Sequence, residues 1–235
     1  MSTRHAIVFG LLLLLGGAFF VLLTGYAPDE SLNRSALYYA ENTAAETGAQ
    51  NIVAAIIVTY RGLDTLGEVT VLFLTAAIIG LVLSNLRAPR CGPTSGVLPA
   101  GELLNTGARL LVPLIALFGA YVFVNGHLTP GGGFQGGAVL ASGVLLMLLA
   151  DPDRRFSHGV IARTESGSGL LYVLVGLAGL ALAGGFLDNR FLPLGHLGSL
   201  LSAGAIPLIY VLIGLKVGAE FSSMLESFEE TGDAA

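Results

Sequence analysis

The chain has 235 residues, 54% of them hydrophobic and only 11% charged, with a net charge of −5; its mean hydropathy is +0.78. Soluble domains carry about 25% charged residues, so this composition excludes an ordinary soluble enzyme and points to a polytopic membrane protein. The 11 Lys and Arg form no basic patch that would suit nucleic acid, and a single cysteine, Cys91, excludes an internal disulfide or a cysteine metal cluster.

A membrane span needs about 20 apolar residues. In chain order the first candidate is Ala6–Tyr26, read as a retained anchor: it is too long for a signal-peptide core, and Tyr26-Ala27-Pro28 offers no small-x-small cleavage pattern. Ser31–Gln50 is polar and Ala-containing, and predicts a short surface helix capped at Asn42 or Thr43. Ile52–Val58 is apolar on every side, yet Asn51–Tyr60 is too short to cross a bilayer, so an interfacial or re-entrant helix is expected before the second span, Val69–Leu86. Between them Arg61, Asp64 and Glu68 are spaced three and four apart and share one face of a helical corner, with the cation between two carboxylates.

Arg87–Leu103 holds three prolines and three glycines and reads as a linker. Four further spans come after it: Leu110–Val124 with its flanks, Phe134–Ala150, Leu170–Leu187 and Leu197–Val217. Between the first two of these lies His127-Leu-Thr-Pro-Gly-Gly-Gly-Phe-Gln-Gly-Gly137. Its glycines each cost about 1 kcal/mol in a helix and its proline about 3, so the run is expected to be irregular. Lipid offers no hydrogen bonds to such backbone, which suggests that another polypeptide covers it. With the N-terminus inside, eight Lys and Arg fall in cytoplasmic segments and three (Arg34, Arg61 and Arg190) outside, which places both termini in the cytoplasm. The organisation expected is an all-α polytopic membrane protein: a two-span segment at 1–86, a linker at 87–103, a four-span domain at 104–221 and an acidic tail at 222–235.

Two stretches carry a family resemblance. His127–Gly137 resembles the signature of the MnhB (MrpB) component of Mrp-type multisubunit Na+/H+ antiporters, a four-helix membrane protein whose counterpart also occurs in membrane-bound hydrogenases related to respiratory complex I. Asn51-Ile-Val-Ala-Ala-Ile-Ile-Val-Thr-Tyr-Arg-Gly-Leu-Asp-Thr-Leu-Gly-Glu68 resembles the small hydrogenase-E-like (MbhE-like) segment that ends the MrpA component in many antiporters. The resemblance implies a non-catalytic, multi-pass subunit of a cytoplasmic-membrane complex, with other antiporter subunits, Na+, H+ and the lipid bilayer as partners and no cofactor. The alternative it implies is a membrane-arm subunit of a redox-driven ion pump. The larger subunits of such complexes carry relays of buried Lys and Glu, a pattern this sequence does not display.

Candidate ion-translocation residues are Asp64 and Glu68, with Arg61 tuning their affinities. Each can equally serve as an ion pair that fixes the corner. Lys216 and Glu220, four apart, read either as a relay or as an anchor whose lysine snorkels to the headgroups. His127 is either a proton shuttle or a hydrogen-bonding side chain. The loop residues Thr129, Pro130, Gly131, Gly132, Gly133, Phe134, Gln135, Gly136 and Gly137 either line a cation path with carbonyl oxygens or permit close packing. No metal-ligand spacing and no nucleophile–base arrangement is visible.

Overall fold

The computed structural model describes residues 3–26, 31–86, 101–151 and 157–232, all of them helical or irregular and none in a strand. The expected linker falls outside these residues, Cys91 included, except for Gly101–Leu103, which begin the next helix. The chain divides into two compact units, Met1–Tyr38 and Tyr39–Ala235. In the first, α1 (Thr3–Gly25) is apolar on every side, the pattern of a membrane span rather than of a surface helix. Near the unit boundary, α2 (Arg34–Thr47) is capped by Asn33, whose Oδ1 accepts from the Ala36 N–H at 2.9 Å. The expected caps Asn42 and Thr43 lie inside this helix, because Asn33 supplies the acceptor well before them in the chain.

In the second unit a short helix, α3 (Ile52–Ala55), runs into a wider π-turn at Ile56–Tyr60 and breaks at Arg61 before α4 (Gly62–Leu86). Beyond it come α5 (Glu102–Val124), α6 (Gly133–Ala150), α7 (His158–Ala183) and α8 (Ile206–Gly232). With α1, six helices are long and apolar enough to cross a membrane. Within the second unit α8 is the axis: it packs against α4, α5, α6 and α7. Two thirds of its apolar stretch is buried, against 11–39% for the other four. The core gathers Ile206, Ile209, Tyr210, Ile213 and Val217 of α8 around Val58, Val69 and Tyr172, while most leucines of α4, α5 and α7 face outward to lipid.

Two expectations change here. The span expected at Leu197–Val217 begins only at Ile206 and continues to Gly232, so the acidic segment after 221 extends the helix. Residues 184–205 are largely irregular because Gly195, Gly198 and Gly204 take positive φ angles of 67°, 87° and 56° that helix does not allow. Asn189, 1% exposed, holds this stretch together. Its Nδ2 donates to the carbonyls of Thr47 at 2.8 Å and Ala203 at 2.9 Å.

The glycine run is the second. Its latter half, Gly133–Gly137, is the first turn of α6 and not irregular backbone. The glycines remove side chains where α6 meets its neighbours. A Cβ on Gly133 would lie 2.6 Å from the Ile213 Cβ, one on Gly136 2.7 Å from the Gly119 carbonyl oxygen, and one on Gly137 2.7 Å from that of Gly214. Close approach of small residues outweighs poor helix propensity. Gly132, Gly133, Gly136 and Gly137 are buried by the chain's own α5 and α8, so the run requires no second polypeptide to cover it.

Candidate functional site

Both motif stretches converge on one groove. Asn51 caps α3, accepting from the Ala54 N–H at 3.3 Å, and its Nδ2 donates to the carbonyls of Gly126 at 2.8 Å and Thr129 at 3.0 Å. The backbone N–H groups of Gln50 and Asn51 both donate to the His127 carbonyl, at 3.1 and 3.0 Å. Three carbonyls of the turn before α6 are thereby occupied, which favours its packing role over cation lining. Sequence reasoning missed Asn51 as this clasp; an Asn directly before an apolar helical run was the available signal.

The π-turn brings the Arg61 N–H to the Ile56 carbonyl at 2.7 Å, and the Thr65 hydroxyl donates to the Ile57 carbonyl at 2.5 Å. Arg61 pairs with Asp64 at 2.5 Å, both side chains more than half exposed. Glu68 stands apart from this pair, so Arg61 does not lie between two carboxylates as the spacing suggested. Instead Glu68 lines a cavity of about 640 Å³ with Ile57, Thr65, Val71, Phe134, Gln135 and Tyr210. Glu68 is the sole charged residue among those lining that cavity.

His127 is fully buried, with Nε2 3.4 Å from the Ser199 carbonyl oxygen. Burial pushes its pKa below the usual histidine value, outweighing the backbone hydrogen bonds that act in the opposite direction. It therefore stays neutral at physiological pH. Of the other loop residues, the Thr129 hydroxyl donates to the Asn125 carbonyl at 3.2 Å, Pro130 is exposed, and Phe134 stacks edge-on against Phe221.

Lys216 and Glu220 do not stand at the end of their helix, where an anchor is expected. They lie in the middle of α8, with side chains 10% and 0% exposed, and their Nζ and Oε1 are 2.8 Å apart. The Phe73 ring of α4 sits 4.8 Å from the Lys216 Nζ, and a Cβ on Gly169 of α7 would lie 3.3 Å from it. Glu165 of α7, half-buried, stands one turn before Gly169 on the same helix face. On the same helix as that pair, Glu226 is 2% exposed and lies 3.3 Å from His158. Lys216, Glu220 and Glu226 are thus buried on one helix, with Glu165 half-buried on its neighbour. The sequence hid this because Glu165 and Glu226 sit in polar-looking stretches near predicted helix ends.

Comparison with known proteins gives a consistent likeness. The family described as "Domain related to MnhB subunit of Na+/H+ antiporter" matches residues 103–223, and the MbhE family, the E component of MBH, matches residues 6–100. An uncharacterised protein of Methanocaldococcus jannaschii is 30% identical over 195 residues, 74% of each chain. Among solved structures, a chain of the membrane-bound sulfane sulfur reductase, an archaeal respiratory membrane complex, is 41% identical with a TM-score of 0.80, covering 96% of this chain and 97% of that one. A chain of the Mrp complex from Dietzia sp. DQ12-45-1b is 28% identical with a TM-score of 0.77, covering 97% of this chain and 26% of that longer one.

Proposed function

The chain belongs to the family related to the MnhB subunit of Na+/H+ antiporters, and on that premise we propose that it is a membrane subunit of a multisubunit complex exchanging a monovalent cation for protons. Glu68 is its contribution to the ion path, at an interface that a neighbouring subunit completes. The observation that carries this reading is the position of Glu68: a carboxylate within a span, in a largely apolar groove that holds no other charged residue. Intramembrane acids are costly and mark ion pathways. Na+ and H+ competing for such a carboxylate, or shifting each other's affinity through charge, supply the coupling. Thr65, Gln135 and the Tyr210 phenol add polar groups beside it. The chain's own role is transport and assembly. Both termini lie on the cytoplasmic side in this reading: with Lys216 inside a span, seven basic residues remain on that side against three on the other.

The end-to-end likeness to a chain of the sulfane sulfur reductase complex favours a second reading for the host, in which the same ion-translocating module is driven by a redox arm. Companions co-purified with the tagged chain decide between them: iron–sulfur partners indicate the redox host, antiporter subunits alone the first. For the site itself, Glu68→Gln is expected to impair cation-dependent dissipation of a pH gradient in inverted vesicles while companion stoichiometry is unchanged. Unaltered transport by an intact Glu68→Gln complex removes Glu68 from the path.

A further inference from the structure

We propose that the seam between α7 and α8 conducts protons through this chain, with Glu165 and Glu220 sharing an exchangeable proton beside Lys216. The proposal rests on the ion-exchange reading above and adds to it a route made of this chain's own side chains.

Along α7, His158, Glu165 and Tyr172 recur every seven residues, two turns or about 10 Å apart on one stripe. The α8 residues opposite them fall into three levels. At one end His158 Nδ1 is 3.3 Å from Glu226 Oε2, with His158 69% exposed and Glu226 3% exposed, so the pair joins solvent to the interior. In the middle lie Lys216 and Glu220, 2.8 Å apart; a Cβ on Gly169 of α7 would lie 3.3 Å from the Lys216 Nζ, and Glu165 stands one turn before Gly169 on the same helix face. At the far end Tyr172 and Tyr210 belong to one buried cluster, and Tyr210 lines the groove that holds Glu68.

The middle level is unbalanced. One ammonium faces two carboxyl groups, and the nearby hydroxyls are committed elsewhere. Ser168 donates to the Thr164 and Glu165 carbonyls and Ser222 to the Gly218 carbonyl. The buried Glu220 Oε2 has no hydrogen-bond partner among the described residues. The other elements packed on α8 offer no compensation: α4 presents the Phe73 ring to Lys216, and α6 contains no titratable residue. Glu102 and Arg109 of α5 are exposed, as is Arg163 of α7. Glu165 is half-buried and Glu220 fully buried; a second carboxylate charge beside the single ammonium is disfavoured where water is excluded, so the two carboxyls share one proton. When that O–H passes its proton towards Glu226 and His158, the carboxylate left behind is stabilised by the Lys216 ammonium. Reprotonation comes from the tyrosine side, where the Tyr172 hydroxyl donates to the Gly62 carbonyl at 3.4 Å and Tyr210 lines the groove that holds Glu68.

Two measurements on the whole complex, purified through a tag on this chain, test the seam. The first replaces the buried pair with apolar side chains of similar size, Lys216→Met with Glu220→Leu, a change that leaves a purely structural ion pair's stability intact or improved. The expected result is normal assembly with proton movement lost; an assembled double variant that moves protons like the wild type overturns the proposal. The second is infrared spectroscopy. A protonated-carboxyl band that shifts in heavy water and disappears in Glu220→Gln or Glu165→Gln, but not in Glu102→Gln, is expected, and its absence from the wild type overturns the proposal. If Glu68→Gln blocks transport while the double variant does not, the seam fails and the antiporter reading stands. A wild-type complex that moves no protons refutes the antiporter reading, and the infrared band then decides on the exchangeable proton by itself.

Discussion

Replacing Gly137 with Ala sets helix propensity against helix contact. A Cβ there would lie 2.7 Å from the Gly214 carbonyl oxygen, 2.8 Å from the Val217 Cβ and 2.9 Å from the Gly218 nitrogen, whereas ordinary contact begins at 3.4 Å. Two of these three atoms belong to backbone, so no side chain can swing aside. α6 and α8 must separate by roughly 0.7 Å, a gap that forfeits a quarter to a half of each dispersion contact along the seam. Overpacking of this kind costs about 1–3 kcal/mol, while Gly→Ala within a helix returns about 1 kcal/mol. A net loss of up to about 2 kcal/mol is expected, and because α8 is the axis of the unit, the loss should appear in global stability. Gly107→Ala in α5 is the control: nothing lies within 4 Å of its added Cβ, so only the propensity gain remains. Thermal unfolding of the full chain in mild detergent should rank Gly107→Ala at or above the wild type and Gly137→Ala below both. A Gly137→Ala protein as stable as Gly107→Ala refutes the assignment of the glycine run to helix contact.

The clasp and the buried histidine yield two more expectations. Asn51→Ala removes the donors to the Gly126 and Thr129 carbonyls; leaving such groups unpaired costs about 1–3 kcal/mol each, and proteolysis of the 125–132 turn should accelerate while cleavage elsewhere is unchanged. His127 has a lowered pKa in the folded chain, so the unfolded chain takes up its proton first. Stability is therefore full above the ordinary histidine pKa of 6.5 and declines as pH falls below it. A melting temperature measured against pH should bend downward there, and His127→Gln should flatten the bend.

Periodicity and composition made the spans legible: Ala6–Tyr26, Val69–Leu86 and Phe134–Ala150 contain runs that only lipid or a helical core accepts, and each coincides with a long apolar helix. The start of α8 was not legible, since Leu197–Ala205 carries leucines and alanines much as the helix itself does; three glycines with positive φ and the buried Asn189 decide it. Glu68 stood out because a carboxylate beginning an apolar run is rare. That Gly133, Phe134 and Gln135 would stand across the groove from it was beyond reach, as two spans and the linker separate the two motifs in the chain.

Local chemistry by itself determined that this chain is helical and lies in the membrane, because hydrophobic run length and helix breakers act within a few turns; its kinship with antiporter subunits came from the resemblance of two motif stretches. Only the tertiary structure decided which charges are buried and which glycines are contacts. Lys216 reads as a snorkelling anchor until its burial beside Phe73 and Gly169 is seen, and Glu165 reads as a fully solvated residue until α7 packs on α8 and half-buries it. Burial is a property of the neighbours a residue acquires, and those neighbours come from parts of the chain that no local pattern connects.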